Sequence, residues 1–311
     1  MNNLSLHKLC SEQSVNLQEA ESMAEIALGT AQFGSSYGIA NRTGKIDLET
    51  GREILTVAKQ HGVRTLDTAI AYGNAESMLG DIGCSSWDVI TKLPPLPKEI
   101  SDISTWVENE VKSSLARLKV TSLYGLLLHH PSDLLGVHSR KLVAALLDLK
   151  AQGVVAKLGV SIYLADELDQ LASFPIIDVV QTPMNIIDRE LADSGWLTKL
   201  SHGNVEIHIR STFLQGLLVM SPAERPSWLA KWAPIFHQWD MWVADTGMSR
   251  IEACLAHVRS YPEVDRVVVG VDSTEQTKEI LAAANTTPLR APMSLTSNDE
   301  RLINPSRWVL T

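Results

Sequence analysis

Apolar residues recur along this chain in two alternating rhythms. Short, nearly unbroken apolar runs fall near 25–29, 63–67, 88–91, 123–128, 155–160, 176–181, 205–210 and 266–270. Runs of this kind suit strands buried on both faces of a parallel sheet. Between them lie longer stretches with apolar positions three and four apart: 48–61, 74–82, 102–118, 139–152, 164–173, 188–202, 240–260 and 274–284. That spacing predicts amphipathic helices. Asp47 and Ser273 stand where N-caps are expected, and Gly62 and Gly153 where helices stop. Strand–helix alternation predicts a parallel α/β sheet. A doubly wound sheet is the rival, but the eightfold count favours closure into one (β/α)8 TIM barrel over 24–311.

Two stretches fall outside this rhythm. Residues 1–23 are polar without a period and are expected to form a flexible arm or a short docking helix. The stretch 212–239, after the seventh strand, is irregular and carries Trp228, Trp232 and Trp239, with Trp242 just beyond. It is expected either to wall a pocket at the barrel's C-terminal face or to cover the barrel or an oligomer contact.

Composition narrows the partners. The chain has 311 residues, 45% of them hydrophobic, which is enough for a large core. The net charge of −9 and the scattered Lys and Arg argue against nucleic acid or an anionic membrane as partner. Apolar runs stay well short of the ~18 residues that span a bilayer. Acidic residues precede the first long apolar segment, unlike a signal peptide. Cys10, Cys84 and Cys254 show no paired or metal-binding spacing. A cytoplasmic protein with reduced thiols, monomeric or a small homo-oligomer, is expected.

The candidate chemistry lies at strand ends, which a barrel gathers on one face. Asp67 closes the second apolar run, and Tyr72 follows in Thr65-Leu-Asp-Thr-Ala-Ile-Ala-Tyr-Gly-Asn-Ala-Glu76. Lys92 closes the third run and His129 the fourth. Singly, each has a plainer reading: a packing Tyr, a capping Asp, a solvated Lys. Together they suit hydride reduction of a carbonyl, whose oxygen gains negative charge and needs a proton. Tyr72 would donate it, with its pKa lowered by Lys92, which Asp67 would hold charged. His129 would hydrogen-bond the substrate oxygen. Glu76 reads as a first-turn helix acid. The histidines lack a metal-binding spacing with a carboxylate, so no metal is expected.

With these residues in place the chain resembles an aldo-keto reductase. The likeness runs from Leu28-Gly-Thr-Ala-Gln-Phe-Gly34 through the Asp67–Glu76 segment and Thr91-Lys92. It continues through Leu128-His129, Gly159-Val-Ser161, Val180-Gln181, Asn185 and Val269-Gly270, so that it covers about 25–285. It implies a barrel that binds NAD(P)H across its C-terminal face without a Gly-rich dinucleotide loop, and a tetrad of Asp67, Tyr72, Lys92 and His129. Ser161 and Gln181 match carboxamide-binding positions, while Ile162 stands where Asn is common. Arg210 falls where an aromatic stacks on the nicotinamide; it is expected to contact the ring, the pyrophosphate or an anionic substrate, or to pair with a nearby acid. Backbone at Phe213–Gly216 is expected along the pyrophosphate. Gly270, Ser273, Thr274, Gln276 and Glu279 are expected at the adenosine end.

Asp272 opposes a 2′-phosphate there and Lys278 offsets it, so NADPH is favoured by family habit and NADH kept. Phe33, Tyr37 and Trp232 are expected around the substrate, an aldehyde or ketone. The Leu28–Asn41 variant resembles bacterial members associated with sugar and surface-polysaccharide metabolism, which implies a sugar-derived carbonyl. The alternatives are a nucleotide-binding regulatory subunit with little catalysis, or another barrel enzyme, an isomerase or hydrolase, that uses Lys92.

Overall fold

Eight parallel strands close into a barrel in the computed structural model, which describes residues 23–39, 41 and 44–308. They are β1 (Glu25–Gly29), β2 (Thr65–Asp67), β3 (Asp88–Leu93), β4 (Leu123–Leu128), β5 (Val155–Ser161), β6 (Val179–Pro183), β7 (Glu206–Arg210) and β8 (Arg266–Gly270). Each pairs with its neighbours in the chain, and β1 closes the ring on β8, from Glu25 opposite Arg266 to Gly29 opposite Gly270. The alternating pattern therefore produces the single (β/α)8 barrel it predicts. The expected arm lies outside the described residues, except for exposed Met23.

The predicted caps form. Asp47 accepts a hydrogen bond from the Thr50 amide and Ser273 one from the Gln276 amide. Three predicted helices are interrupted. The 188–202 pattern becomes Glu190–Asp193 and Trp196–His202, because Gly195 sits between them at φ +78°. The 240–260 pattern becomes Ala233–Thr246 and Arg250–Val258, broken by Gly247 at φ +68° and restarted by a Ser249–Glu252 capping box. Pro234 in its first turn starts the earlier helix inside the stretch expected to be irregular. The 164–173 pattern shortens to a tight turn, Ala165–Glu167, and the single turn Leu168–Leu171.

The main core lies between the sheet and its surrounding helices. A second core gathers Ile187, Leu218, Phe236, Trp239, Leu295 and Leu302. Trp239 is fully buried there and donates its indole N–H to the Leu218 carbonyl. Trp228, Trp232 and Trp242 pack against the same cluster. All four tryptophans therefore belong to or pack on this second core.

Near the N-terminal ends of the strands the barrel is closed by polar groups. Arg266 of β8 reaches Thr65 of β2, Tyr124 of β4 and Glu206 of β7, and Lys157 of β5 joins Glu206 at 2.6 Å. Contacts between strands that are not neighbours must cross the interior, so this network plugs the barrel floor.

Candidate active site

At the opposite, C-terminal ends of the strands, Asp67 and Lys92 meet inside the barrel mouth. Lys92 Nζ donates to Asp67 Oδ1 at 2.6 Å and to the Thr68 carbonyl at 2.8 Å. Both side chains are buried, so neither charge is tolerable without the other. The second Asp67 oxygen accepts from Gln181 Nε2 at 2.7 Å, and Ser161 Oγ donates to Gln181 Oε1 at 3.2 Å. The chain Ser161–Gln181–Asp67–Lys92 thus links β5, β6, β2 and β3 across the mouth. Ser161 and Gln181 are held by this network, and of the two only Gln181 lines the cleft.

Tyr72 stands beside the pair. Its ring centre is 5.3 Å from Lys92 Nζ and 5.9 Å from the His129 ring, which it meets edge-on. Two glycines permit its position. A Cβ on Gly34 would lie 1.7 Å from the Tyr72 carbonyl oxygen, and one on Gly73, at φ +55°, would lie 2.6 Å from the Gly34 oxygen. The loop after β1 can therefore press directly on the turn that carries Tyr72.

The electrostatics differ from expectation at one point. Burial pushes the Tyr72 phenol well above its ordinary range, and Asp67 adds to this while Arg210 opposes it. The expected lowering by Lys92 is absent because Asp67 neutralises the ammonium at contact distance. Burial also pulls Lys92 down, with Asp67 resisting. His129 is lowered to about 4 by burial and then by Lys92, so it is neutral at neutral pH.

An open cleft, about 1040 Å³ with the solvent it admits, is lined by Asp67, Tyr72, Gln181 and Arg210 and by Gly270, Asp272 and Gln276. The loops after β1 and β7 line it as well. In the β7 loop, Ser211, Leu214 and Gln215 all have positive φ, followed by Gly216 at +95°. Turns of this sort can present amides to an anion. Gln215 donates to the Tyr37 hydroxyl, so the two loops touch across the cleft.

Arg210 reaches back from β7 towards β5. It donates from Nη2 to the Ile162 carbonyl at 2.8 Å, and its guanidinium carbon lies 4.4 Å from the Tyr163 ring centre. After β8, the Ser273 hydroxyl caps Gln276 and the Thr274 hydroxyl donates to Glu53 at 3.0 Å. Gln276 accepts from the Asp272 amide at 2.8 Å. Gly270 and Gln276 line the cleft; Ser273, Thr274 and exposed Glu279 do not.

Two further expectations are corrected. Phe33 is fully buried, with its ring against Gly51 in the main core, and Trp232 donates to Asp299 in the second core; of the three expected substrate contacts, only Tyr37 lines the cleft. Glu76 lies in a helix's first turn but is buried, where it accepts from Thr91, Ser114 and Arg117 at 2.6–2.7 Å. Its place in the first turn is the expected one, and its buried partners make it a structural joint as well.

Sequence reasoning missed Gln32 and Thr212. Both line the cleft, and Gln32 Oε1 and Thr212 Oγ1 are buried with no hydrogen-bond partner among the described residues. Their signal was a polar residue just past a strand end, in each case overlooked beside a more conspicuous neighbour, Phe33 or Arg210. No group of three or more His, Cys, Asp or Glu among the described residues could hold a metal ion, and none of the described helices is long and apolar enough to cross a membrane.

Comparison with known proteins agrees with the fold. The family model for the aldo/keto reductase family matches residues 25–293. The uncharacterized oxidoreductase YqkF of Bacillus subtilis is 24% identical over 284 residues, which is 85% of this chain and 92% of that protein. Aldo-keto reductase YhdN of the same bacterium is 24% identical over 182 residues, 55% of this chain and 53% of that protein. Among solved structures, the holo form of aldo-keto reductase AKR11C1 from Bacillus halodurans shares the fold, with a TM-score of 0.67 and 20% identity over 86% of this chain and 88% of that one.

Proposed function

The chain belongs to the aldo/keto reductase family and is an oxidoreductase, and from that premise we propose that it reduces an aldehyde or ketone to an alcohol with NAD(P)H. One observation carries the reading: the buried Asp67–Lys92 pair, 2.6 Å apart, lies beside Tyr72 and His129, and Asp67 and Tyr72 line the cleft.

The cleft residues fit a dinucleotide. Gln32 and Thr212 bring unpartnered buried polar atoms to its walls, which a polar ligand would satisfy. Gln181, with Ser161 behind it, would hold a carboxamide, and Gly270, Gln276 and the Ser273–Thr274 helix start would hold the adenosine side, with Glu279 near the adenine. When bound, a reduced nicotinamide supplies the hydride.

The chain's own residues supply the rest. His129, neutral, donates a hydrogen bond that orients the carbonyl oxygen. Tyr72 gives that oxygen its proton through the phenol O–H. Lys92 and Asp67 remain a closed pair whose charges cancel, and they would hold the Tyr72 phenol in place beside the carbonyl. NADPH is the favoured cofactor by family habit, although Asp272 leaves NADH credible. The substrate is proposed to be sugar-derived.

Fluorescence titration with NADPH and NADH, followed by loss of reduced-nicotinamide absorbance with a panel of aldehydes and ketones, tests the reading. Tight cofactor binding and turnover abolished in Tyr72→Phe are expected. Cofactor binding with no turnover across the panel would favour the regulatory-subunit reading instead.

A further inference from the structure

We propose that Arg210 selects carbonyl substrates that carry a carboxylate. The inference rests on the reductase reading and adds the substrate's chemical class. It begins with a charge balance at the mouth of the cleft. Asp67 and Lys92 cancel at contact distance, and His129 is a neutral ring. The charge left facing the cleft there is the guanidinium of Arg210. No carboxylate lies within ion-pair distance of it among the described residues, and its Nε is buried without a partner. A partly desolvated cation with an unused donor, in a cleft wall, is favourable when the ligand brings an anion.

Geometry decides which anion. The Ile162 carbonyl and the Tyr163 ring hold Arg210 on the β5 side of the mouth. Its charge is felt by Tyr72, Lys92 and His129. The helix start at Ser273 does not line the cleft, and Gly270 and Gln276 line it from the β8 side. Arg210 lines the cleft together with Asp67, Tyr72 and Gln181, and its fork would stand beside the reacting carbonyl. Its planar fork matches a carboxylate in two-point contact, so charge and orientation are read together.

The experiment compares matched substrates: 4-carboxybenzaldehyde against its methyl ester, and succinic semialdehyde against butanal. In the wild type, kcat/KM should favour the carboxylated member of each pair by roughly tenfold or more. In Arg210→Gln that preference should collapse, mainly through KM, and Arg210→Lys should restore part of it. Circular dichroism of both variants checks folding. Dissociation constants for NADPH and NADH, from fluorescence quenching, separate the two sources of anion. A rise in those constants that matches the loss in kcat/KM would assign Arg210 to the cofactor phosphates and overturn the proposal, as would equal losses for both members of a pair. If the wild type reduces the neutral aldehydes without preferring the acids, the substrate class fails while the reductase reading stands. If it reduces none of the four, the reductase reading fails, and calorimetric titration with benzoate decides the Arg210 site: binding lost in Arg210→Gln supports it, and no binding by the wild type overturns it.

Discussion

The ammonium of Lys92 stands 5.3 Å from the centre of the Tyr72 ring, yet its hydrogen bonds go to Asp67 and the Thr68 carbonyl. A lysine this close to a phenol would lower its pKa if its charge were free. Here the charge is spent on Asp67, and burial raises the phenol instead. Tyr72 therefore stays protonated beyond the ordinary tyrosine range near 10. The reduction rate, as kcat/KM, should stay level from neutral pH to about pH 10 and fall only above it. A stopped-flow pH series with chemistry rate-limiting checks this; a loss centred near pH 8 would mean the phenol is acidified after all.

The same pair separates catalysis from folding. Lys92→Met alone leaves Asp67 buried with its charge opposed by no cation, and should cost about 3–5 kcal/mol of stability along with activity. Adding Asp67→Asn removes the orphan charge. The double variant should regain much of that stability in urea unfolding while turnover stays about 100-fold or more below wild type. Recovery of turnover along with stability would reduce the pair to a structural role.

Neutral His129 implies a hydrogen-bonding role rather than a charged one, because burial and Lys92 lower its pKa to about 4. His129→Gln keeps an uncharged donor of similar reach, so it should retain at least about tenfold more activity than His129→Ala. Equal losses in steady-state assays would exclude a hydrogen bond to the substrate.

Gly34 offers a test at a distance from the chemistry. A Cβ there would lie 1.7 Å from the Tyr72 carbonyl oxygen, so Gly34→Ala must push the turn of Tyr72 away from the first loop. A displacement of about 1 Å can cost on the order of 100-fold in rate. The expected result is a large fall in kcat, with the far-ultraviolet spectrum unchanged; an unchanged kcat would show that the turn's position is not critical.

What the chain disclosed before folding depends on the range of the interaction. Asp67, Lys92 and Arg210 are legible because each ends an apolar run, and a barrel turns strand ends to one face. Gly195 and Gly247 sit inside helical patterns where a break could have been read. Phe33 and Gln32 were misjudged because the chain coils into the single turn Ala31–Gly34 directly after β1, where strand alternation no longer says which side chain faces inward. The role of Glu76 was hidden because its partners Thr91, Ser114 and Arg117 come from β3 and the helix Ile103–Leu118. The pairing of Lys92 with Asp67 was foreseen, but its effect on Tyr72 was not, because burial is a property of the folded state.

The floor of the barrel predicts the protein's response to acid. Burial pushes the Glu206 carboxyl up, but His208, Lys157, Tyr124 and Arg266 around it outweigh that and hold it far below the ordinary glutamate value of 4.5. A carboxyl depressed in the folded state adds stability above its unfolded pKa, and that stability is lost as pH falls through the folded one. The wild type should therefore lose stability steadily below about pH 4.5. Glu206→Gln leaves Arg266 and Lys157 without their shared anion and should cost about 3 kcal/mol at pH 7, a penalty that shrinks towards pH 3 as the wild-type advantage disappears. Urea unfolding of both proteins across that range measures the convergence; parallel curves would show that the network adds no pH-linked stability.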